Sequence, residues 1–388
     1  TEIYTLSLHD ALPICKKMKK LLAIILAAIL CLGLMAGCGQ TTIIVQDGDS
    51  GNDATPTPEV TEPAAEETPA ESEAPVADDT PLPEGQLKTG LALVSVVSDS
   101  SKAATAEADG NAQADTTFVS VLVDGDGVIQ DCLIDCVQTK IAVSAAGEIV
   151  TPANTAFDSK IVLDDAYSMR KASPIGAEWD EQANFLADYV VGKTIDEVKG
   201  IAIDDGGKPT DADITTGCTM NIAEILTGIE NAVANAKVLG ANVGDTLYMN
   251  CNAIVSDSSK AASADGDGNA QADVTVGAYT LNADGVITSC YLDCVQAKIA
   301  VTAAGEIATA AGTAFDSKLV LDDAYNMRKA SPIGAEWDEQ AWFFANYVTG
   351  KTPAEVAGIA LDESTHPTDA DITTGCTMAI GAFIAVIK

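Results

Sequence analysis

The chain repeats itself. Thr219 recurs as Thr377, Trp179 as Trp337, Cys132 as Cys290 and Asp99 as Asp257, each 158 residues further on (377 − 219, 257 − 99), so the two copies align without a gap. A period of that length is a whole domain, which makes this a tandem duplication and not a solenoid of short units. The copies cover residues 87–236 and 237–388, and whatever fold one adopts the other should share. They have drifted: Ala92-Leu93-Val94 stands opposite Asn250-Cys251-Asn252, and Asp205-Gly206-Gly207-Lys208 opposite Glu363-Ser364-Thr365-His366. Among the stretches that have not changed, two are the longest. One is Asp211-Ala212-Asp213-Ile214-Thr215-Thr216-Gly217-Cys218-Thr219-Met220, repeated at 369–378; the other is residues 169–183, repeated at 327–341. Turn and core requirements account for Pro174, Gly176 and Trp179. They account less well for Arg170, Lys171 and Thr219.

Each copy reads as α+β. Residues 91–97, 116–123 and 128–137 have the β-branched content and alternation of strands, with Asp124-Gly125-Asp126-Gly127 as a turn and one further short strand after them. The period then changes. Helices are expected over 160–169, 177–191 and 220–236, and over 318–327, 335–348 and 378–387 in the second copy. Ser173-Pro174-Ile175-Gly176 and Gly192 interrupt them. The last helix is apolar nearly all round and should be buried. The expected architecture is two tandem copies of a small antiparallel sheet with helices.

Three segments precede the repeat. Residues 1–17 resemble the translation of sequencing-adapter DNA and are left out of the fold reasoning. Residues 18–38 read as an export signal: Lys19-Lys20, an apolar run over 21–35 too short to span a bilayer, then Leu34-Met35-Ala36-Gly37-Cys38. Small residues before a Cys resemble a lipoprotein signal, in which Cys38 is lipidated; an ordinary signal peptide or an anchor helix is the alternative. Acyl chains on Cys38 would hold firmly, at about 0.8 kcal/mol per buried CH₂. Residues 39–86 are acidic and rich in Pro and Thr, with too few large apolar residues to offset ordering, so a disordered linker is expected. It would reach roughly 40 Å as a coil and at most about 160 Å stretched, enough to carry the repeat off a membrane surface.

The formal net charge is −36, which disfavours a nucleic-acid partner. Histidine is the more useful count. There are two, His9 and His366; His9 falls in the discounted stretch and His366 is matched by Lys208 in the other copy. Catalysis by Ser-His-Asp or Cys-His and His-based metal sites are therefore nearly excluded, and no metal is expected. Redox or group-transfer chemistry would have to come from a cofactor, and an enzyme with its own active site is disfavoured.

The spacing Asp-x-x-Thr-Gly-Cys-Thr resembles the acceptor motif of FMN-binding-domain proteins, in which an ApbE-type flavin transferase joins FMN to a Thr through a phosphoester. Asp213, Thr216, Gly217, Cys218 and Thr219 match it, and so do Asp371, Thr374, Gly375, Cys376 and Thr377, with Cys where Ala is commoner. The wider chain resembles the flavinylated lipoproteins of extracellular electron transfer in Gram-positive bacteria, the PplA type; the Met-Arg-Lys-Ala-Ser-Pro-Ile-Gly-Ala-Glu-Trp run is part of that likeness. The resemblance implies two covalent FMN groups, on Thr219 and Thr377, with the aspartates as recognition residues and not bases. It implies lipid anchoring at the outer face of the cytoplasmic membrane. It also implies a quinone-linked membrane dehydrogenase as electron donor, and soluble or mineral acceptors. A duplicated adhesion or ligand-binding lipoprotein without redox chemistry is the other reading.

The residues themselves add a physical expectation. Thr219 and Thr377 should sit just before a helix, whose unpaired N–H groups favour a phosphate; a plain Thr N-cap is the alternative. Met220 and Met378 follow them in the motif. Arg170 and Arg328 could neutralise the phosphate or form a surface ion pair. Trp179, Trp337, Tyr167 and Tyr325 could stack on the ring or pack in the core. Cys132 and Cys136 lie on one strand face over 10 Å apart by rise, too far for a disulfide. They and Cys290 and Cys294 read as small buried residues, with a disulfide to Cys218 or Cys376 left open. Asp265-Gly266-Asp267-Gly268-Asn269 lacks the Gly and Glu of a Ca²⁺ loop and reads as a solvated turn.

Overall fold

The computed structural model describes residues 82–388. The signal, Cys38 and all but the end of the linker lie outside the described residues. Residues 82–86, read as linker, form a turn in which the Gln86 N–H donates to Pro83 O, and Gln86 pairs with Asn242.

Each copy places its strands first and its helices after. The first copy runs β1 Lys88–Val97, β2 Gly110–Val123, β3 Ile129–Val143 and β4 Ala156–Phe157, then α1 Lys160–Leu163, α2 Trp179–Val190, α3 Ile195–Lys199, α4 Ala212–Thr215 and α5 Ala223–Ala234. The second copy repeats the order as β5 Thr246–Val255, β6 Gly268–Leu281, β7 Ile287–Val301 and β8 Ala314–Phe315, then α6 Lys318–Leu321, α7 Trp337–Val348, α8 Pro353–Ala357, α9 Ala370–Thr373 and α10 Gly381–Val386. The result is two four-stranded antiparallel sheets, each followed by helices, as the alternation and the change of period predict. Among the described residues no helix is long and apolar enough to cross a membrane.

The fourth strand of each sheet comes from the other copy. The orders are β3-β2-β1-β8 and β4-β5-β6-β7. Ala314 pairs with Val96 and Phe315 with Ser95, while Ala156 pairs with Ile254 and Phe157 with Ala253. The sheets also pack on one another. Parity along β2 separates its two faces: Ala112, Ala114 and Phe118 point into cores shared with the second copy, and Val119, Val121 and Val123 into the helices of the first. Both faces of the central strands are therefore covered, which is why β2 is buried almost throughout where one-sided alternation would leave half of it wet. The boundary after Ala236 separates two sequence copies but not two cores.

The strands are longer than expected at the ends that meet the other copy. β2 starts at Gly110 and β3 runs on to Val143, because Ala112, Ala114, Ile141 and Val143 are buried there against Ala270, Ala272, Ile299 and Val301. The helix expected over 160–169 is instead one α turn followed by a 3-10 turn, Asp164–Tyr167, with Asp164 at φ 47° and Ser168 at φ 63°. None of α1's residues is buried, so no core packing extends it past one turn, and helices that short do not persist on propensity. The helix expected over 378–387 spans only Gly381–Val386, and of its residues only Phe383 and Val386 are buried, flanked by buried Ile380 and Ile387; Ala385 is exposed, so the all-round apolarity is met by burial on one side.

A buried carboxylate ties β3 to α1. Asp135 is 7% exposed; its Oδ1 accepts from the N–H groups of Cys136 (2.7 Å) and Ile161 (3.1 Å). Burial pushes its carboxyl up to about 6, a rise that hydrogen bonds from Ser159, Cys136 and Ile161 only partly offset. Asp293 repeats the arrangement at 4% exposure and is also pushed up to about 6, again chiefly by burial. A carboxyl raised on folding favours the folded state when protonated. Its contribution is complete below the unfolded value near 3.9 and is lost as pH rises through about 6, on the order of 2–3 kcal/mol for each site. The Asp135→Asn/Asp293→Asn protein keeps both Oδ1 acceptors. Urea midpoints measured from pH 4 to pH 7 should fall less for it than for the unaltered chain; parallel curves would show that these carboxyls ionise freely.

Candidate functional site

The two unchanged blocks, 37 residues apart in sequence at their contact, meet at one side chain (Gln182 to Thr219). In the first block Asp211 caps α4, its Oδ1 accepting from the Asp213 N–H at 2.8 Å. The Thr216 hydroxyl donates to Asp213 O at 2.8 Å, and the Cys218 N–H to Ile214 O at 2.8 Å. Asp213 and Thr216 are thus exposed and used to close a four-residue helix. Asp371 and Thr374 do the same in the second copy.

Gly217 has a reason other than flexibility. A Cβ there would lie 2.1 Å from Cδ2 of Phe185, and one on Gly375 would lie 2.1 Å from Cδ2 of Phe343. The aromatic ring of α2 or α7 occupies the space a side chain would need. Cys218 is fully buried and its thiol is pushed up to about 11 by burial; Cys376 is likewise buried and raised to about 12. Both stay protonated, so neither is a nucleophile. The seven described cysteines, Cys132, Cys136, Cys218, Cys251, Cys290, Cys294 and Cys376, are all free.

Thr219 follows, partly buried. Its N–H donates to Oε1 of Gln182 at 2.8 Å and its hydroxyl donates to the same oxygen at 3.3 Å. Gln182 lies on α2 with no exposed surface, and its Nε2 donates to Ser173 Oγ (3.3 Å) and Ala177 O (3.2 Å). Those two acceptors orient the amide, leaving Oε1 to face the threonine. Gln340 holds Thr377 in the same way at 2.9 and 3.4 Å, and also accepts from the Met378 N–H at 3.2 Å.

The helix expected directly after Thr219 begins at Ala223 with Ile222 as its N-cap, and its counterpart at Gly381 with Ile380. Thr219 and Thr377 are therefore neither N-caps nor seated on a helix N-terminus. In the first copy the turn between is closed by a side chain: Asn221 Oδ1 accepts from the Ala223 N–H at 2.9 Å.

The second block forms a fastened loop. Buried Glu178 caps α2 and accepts from the N–H groups of Met169 and Arg170. The Arg170 guanidinium binds Glu181 (2.8 Å), Asp165 (3.0 Å) and Gly176 O (3.1 Å), and Arg328 repeats this with Glu339, Asp323 and Gly334. These are the surface ion pairs, turned to the loop's own carboxylates. Trp179 and Trp337 are 5% and 4% exposed and belong to the cores, as does Met220; Met378 packs against the second core. Lys160 Nζ lies 4.8 Å from the Trp179 ring and 5.0 Å from the Tyr167 ring, and Lys318 lies over Trp337 and Tyr325 at 5.0 and 4.7 Å. A lysine already covers the indole face where a ligand ring would stack.

A cleft of about 160 Å³ opens in the second copy beside Ala379, two residues past Thr377, lined among others by Asp273, Thr275, Lys318, Trp337 and Ala382. In the first copy Glu224 stands where Ala382 does, and Thr117 Oγ1 donates to its carboxylate at 3.5 Å. Among the described residues no cluster of acidic, Cys or His side chains could hold a metal.

Sequence reasoning missed Gln182, Gln340, Phe185 and Phe343 as partners of the acceptor segment. The signal available was that both glutamines lie in the unchanged 169–183 block and that both phenylalanines recur at the same register. No family model, curated protein or solved structure matches the chain.

Proposed function

We propose that Thr219 and Thr377 are acceptors for FMN and that the chain is an exported, lipid-anchored electron carrier bearing two covalent flavins. The observation that carries this reading is the duplicated threonine whose N–H and hydroxyl share one buried amide oxygen. The N–H bond is the shorter, so Gln182 grips the backbone and leaves the hydroxyl with the weaker bond, the one that can be given up on esterification. An amide oxygen is not a base. Proton removal and leaving-group chemistry would fall to an ApbE-type transferase: the Thr Oγ–P bond forms, the pyrophosphate P–O bond of FAD breaks, and AMP departs while the hydroxyl proton passes to the transferase or solvent.

The residues present fit such an ester. Thr219 is only partly buried, and the 160 Å³ cleft beside the second site is smaller than the roughly 300–1,000 Å³ that enclose a drug-sized ligand. A group tethered here would be held by its phosphate end, with its ring largely outside. The flavin would supply the redox chemistry; the chain's own residues orient the hydroxyl and hold the segment rigid. A membrane dehydrogenase would donate electrons and soluble or mineral oxidants would accept them.

The test is co-expression of residues 39–388 with a flavin transferase, followed by intact mass and a visible spectrum. Two FMN adducts are expected, one in Thr219→Val or Thr377→Val, and none in the double variant. A colourless, unmodified chain beside an active transferase would favour the non-redox adhesion reading.

A further inference from the structure

Resting on the flavin reading, we propose that the outward side of the 170–176 loop, with its counterpart 328–334, is the surface on which the modifying enzyme docks to reach each threonine. The loop is rigid. The N–H groups of Ala172 and Ser173 donate to Met169 O at 2.8 and 3.0 Å, and the Gly176 N–H to Ser173 O at 3.1 Å, with Gly176 at φ 66°. Arg170, Ser173, Gly176 and Glu178 do the fastening. The side chains of Lys171, Ala172 and Ile175 take no part in it: all three residues are exposed, and none of these side chains makes a hydrogen bond or ion pair.

The three recur unchanged as Lys329, Ala330 and Ile333, within the longest run that the two copies share, 169–183. Substitutions at exposed positions away from caps and ion pairs are close to neutral. Other exposed positions have changed between the copies, among them Gly206 to Ser364, Lys208 to His366, Asn221 to Ala379 and Glu230 to Lys388. Ile175 and Ile333 are each 38% exposed, an apolar side chain kept on the outside twice. Lys171 is a cation on a chain of net charge −36.

The loop is joined to the acceptor through one amide. Gln182 Nε2 donates to Ser173 Oγ while its Oε1 holds Thr219. A protein seated on Lys171 and Ile175 therefore contacts a surface whose position relative to the hydroxyl is fixed, and the same surface recurs beside Thr377. The partner should offer an apolar recess for the isoleucine and a carboxylate for the lysine, and one enzyme would serve both sites.

The test uses the full exported chain with Lys171→Glu/Ile175→Asp in the first copy only, the second copy serving as internal control. Site occupancy is read by peptide mass spectrometry at short times of exposure to an ApbE-type transferase and FAD. Labelling of Thr219 is expected to slow at least tenfold, with Thr377 unchanged, the urea midpoint unchanged, and Lys171→Arg/Ile175→Val labelling normally. Equal labelling of both threonines in the charge-reversed variant would overturn the surface alone. No adduct at either threonine of the unaltered chain would overturn the flavin reading, and this surface with it.

Discussion

A chain cut after Ala236 is expected to lose its native fold in both halves. The first copy would expose Leu91, Val97, Phe118, Val137, Ile141 and Val143, all now buried in cores that the second copy completes. At about 1.5–3 kcal/mol for each large apolar side chain, that loss is comparable to the whole 5–15 kcal/mol stability of a typical domain. Each half would also lose its fourth strand, because β8 belongs to the first copy's sheet and β4 to the second's. Residues 82–236 and 237–388 expressed separately should aggregate or self-associate by light scattering and show no cooperative urea transition as monomers. A soluble monomer of either half with a sharp transition would show that the shared cores contribute little. The same interlocking bears on the proposed function: two acceptor threonines in copies that share cores would keep a constant separation, which two beads on a flexible string would not.

Replacing Gly217 by Ala should be the most damaging single change in the acceptor segment. Carbon atoms pack at about 3.5–4.0 Å, and the new Cβ would sit 2.1 Å from the Phe185 ring. Phe185 packs against the first copy's core, so either the ring or the 216–219 backbone must shift. A cost of about 3 kcal/mol is expected from overpacking of this kind. If the backbone yields, Thr219 leaves Gln182 and labelling at that site falls while Thr377 is unaffected. Adding Phe185→Ala removes the clash, so the pair should couple favourably in a double-mutant cycle. A Gly217→Ala protein with the urea midpoint and Thr219 labelling of the unaltered chain would refute the close approach.

Much of the fold was legible in residues alone. β-branched runs around a Gly-rich turn placed β2 and β3, and the switch of period placed α2 and α7, because those signals are local and the elements have one strongly apolar face. The 160–169 stretch misled for the same reason: its apolar spacing is helical, but Ile161 and Val162 point to solvent and no core rewards the helix. Thr219 and Thr377 were legible as a pair only through the duplication and the motif resemblance. Their surroundings were not. Gln182 and Phe185 act on the motif across 37 and 32 residues of sequence (219 − 182, 217 − 185), a distance over which no periodicity speaks.

By itself the sequence determined that the same unit is built twice, that it holds almost no histidine, and which two unchanged blocks are the longest. These follow from counting and aligning residues and need no coordinates. Only the tertiary structure decided that the two units are one body, that the conserved glycine is a matter of space, and that the threonine is set by a glutamine amide and not by a helix end. The physical reason is that burial, steric exclusion and hydrogen-bond partnership are relations between distant residues. A linear chain states which groups are available; packing states which of them meet.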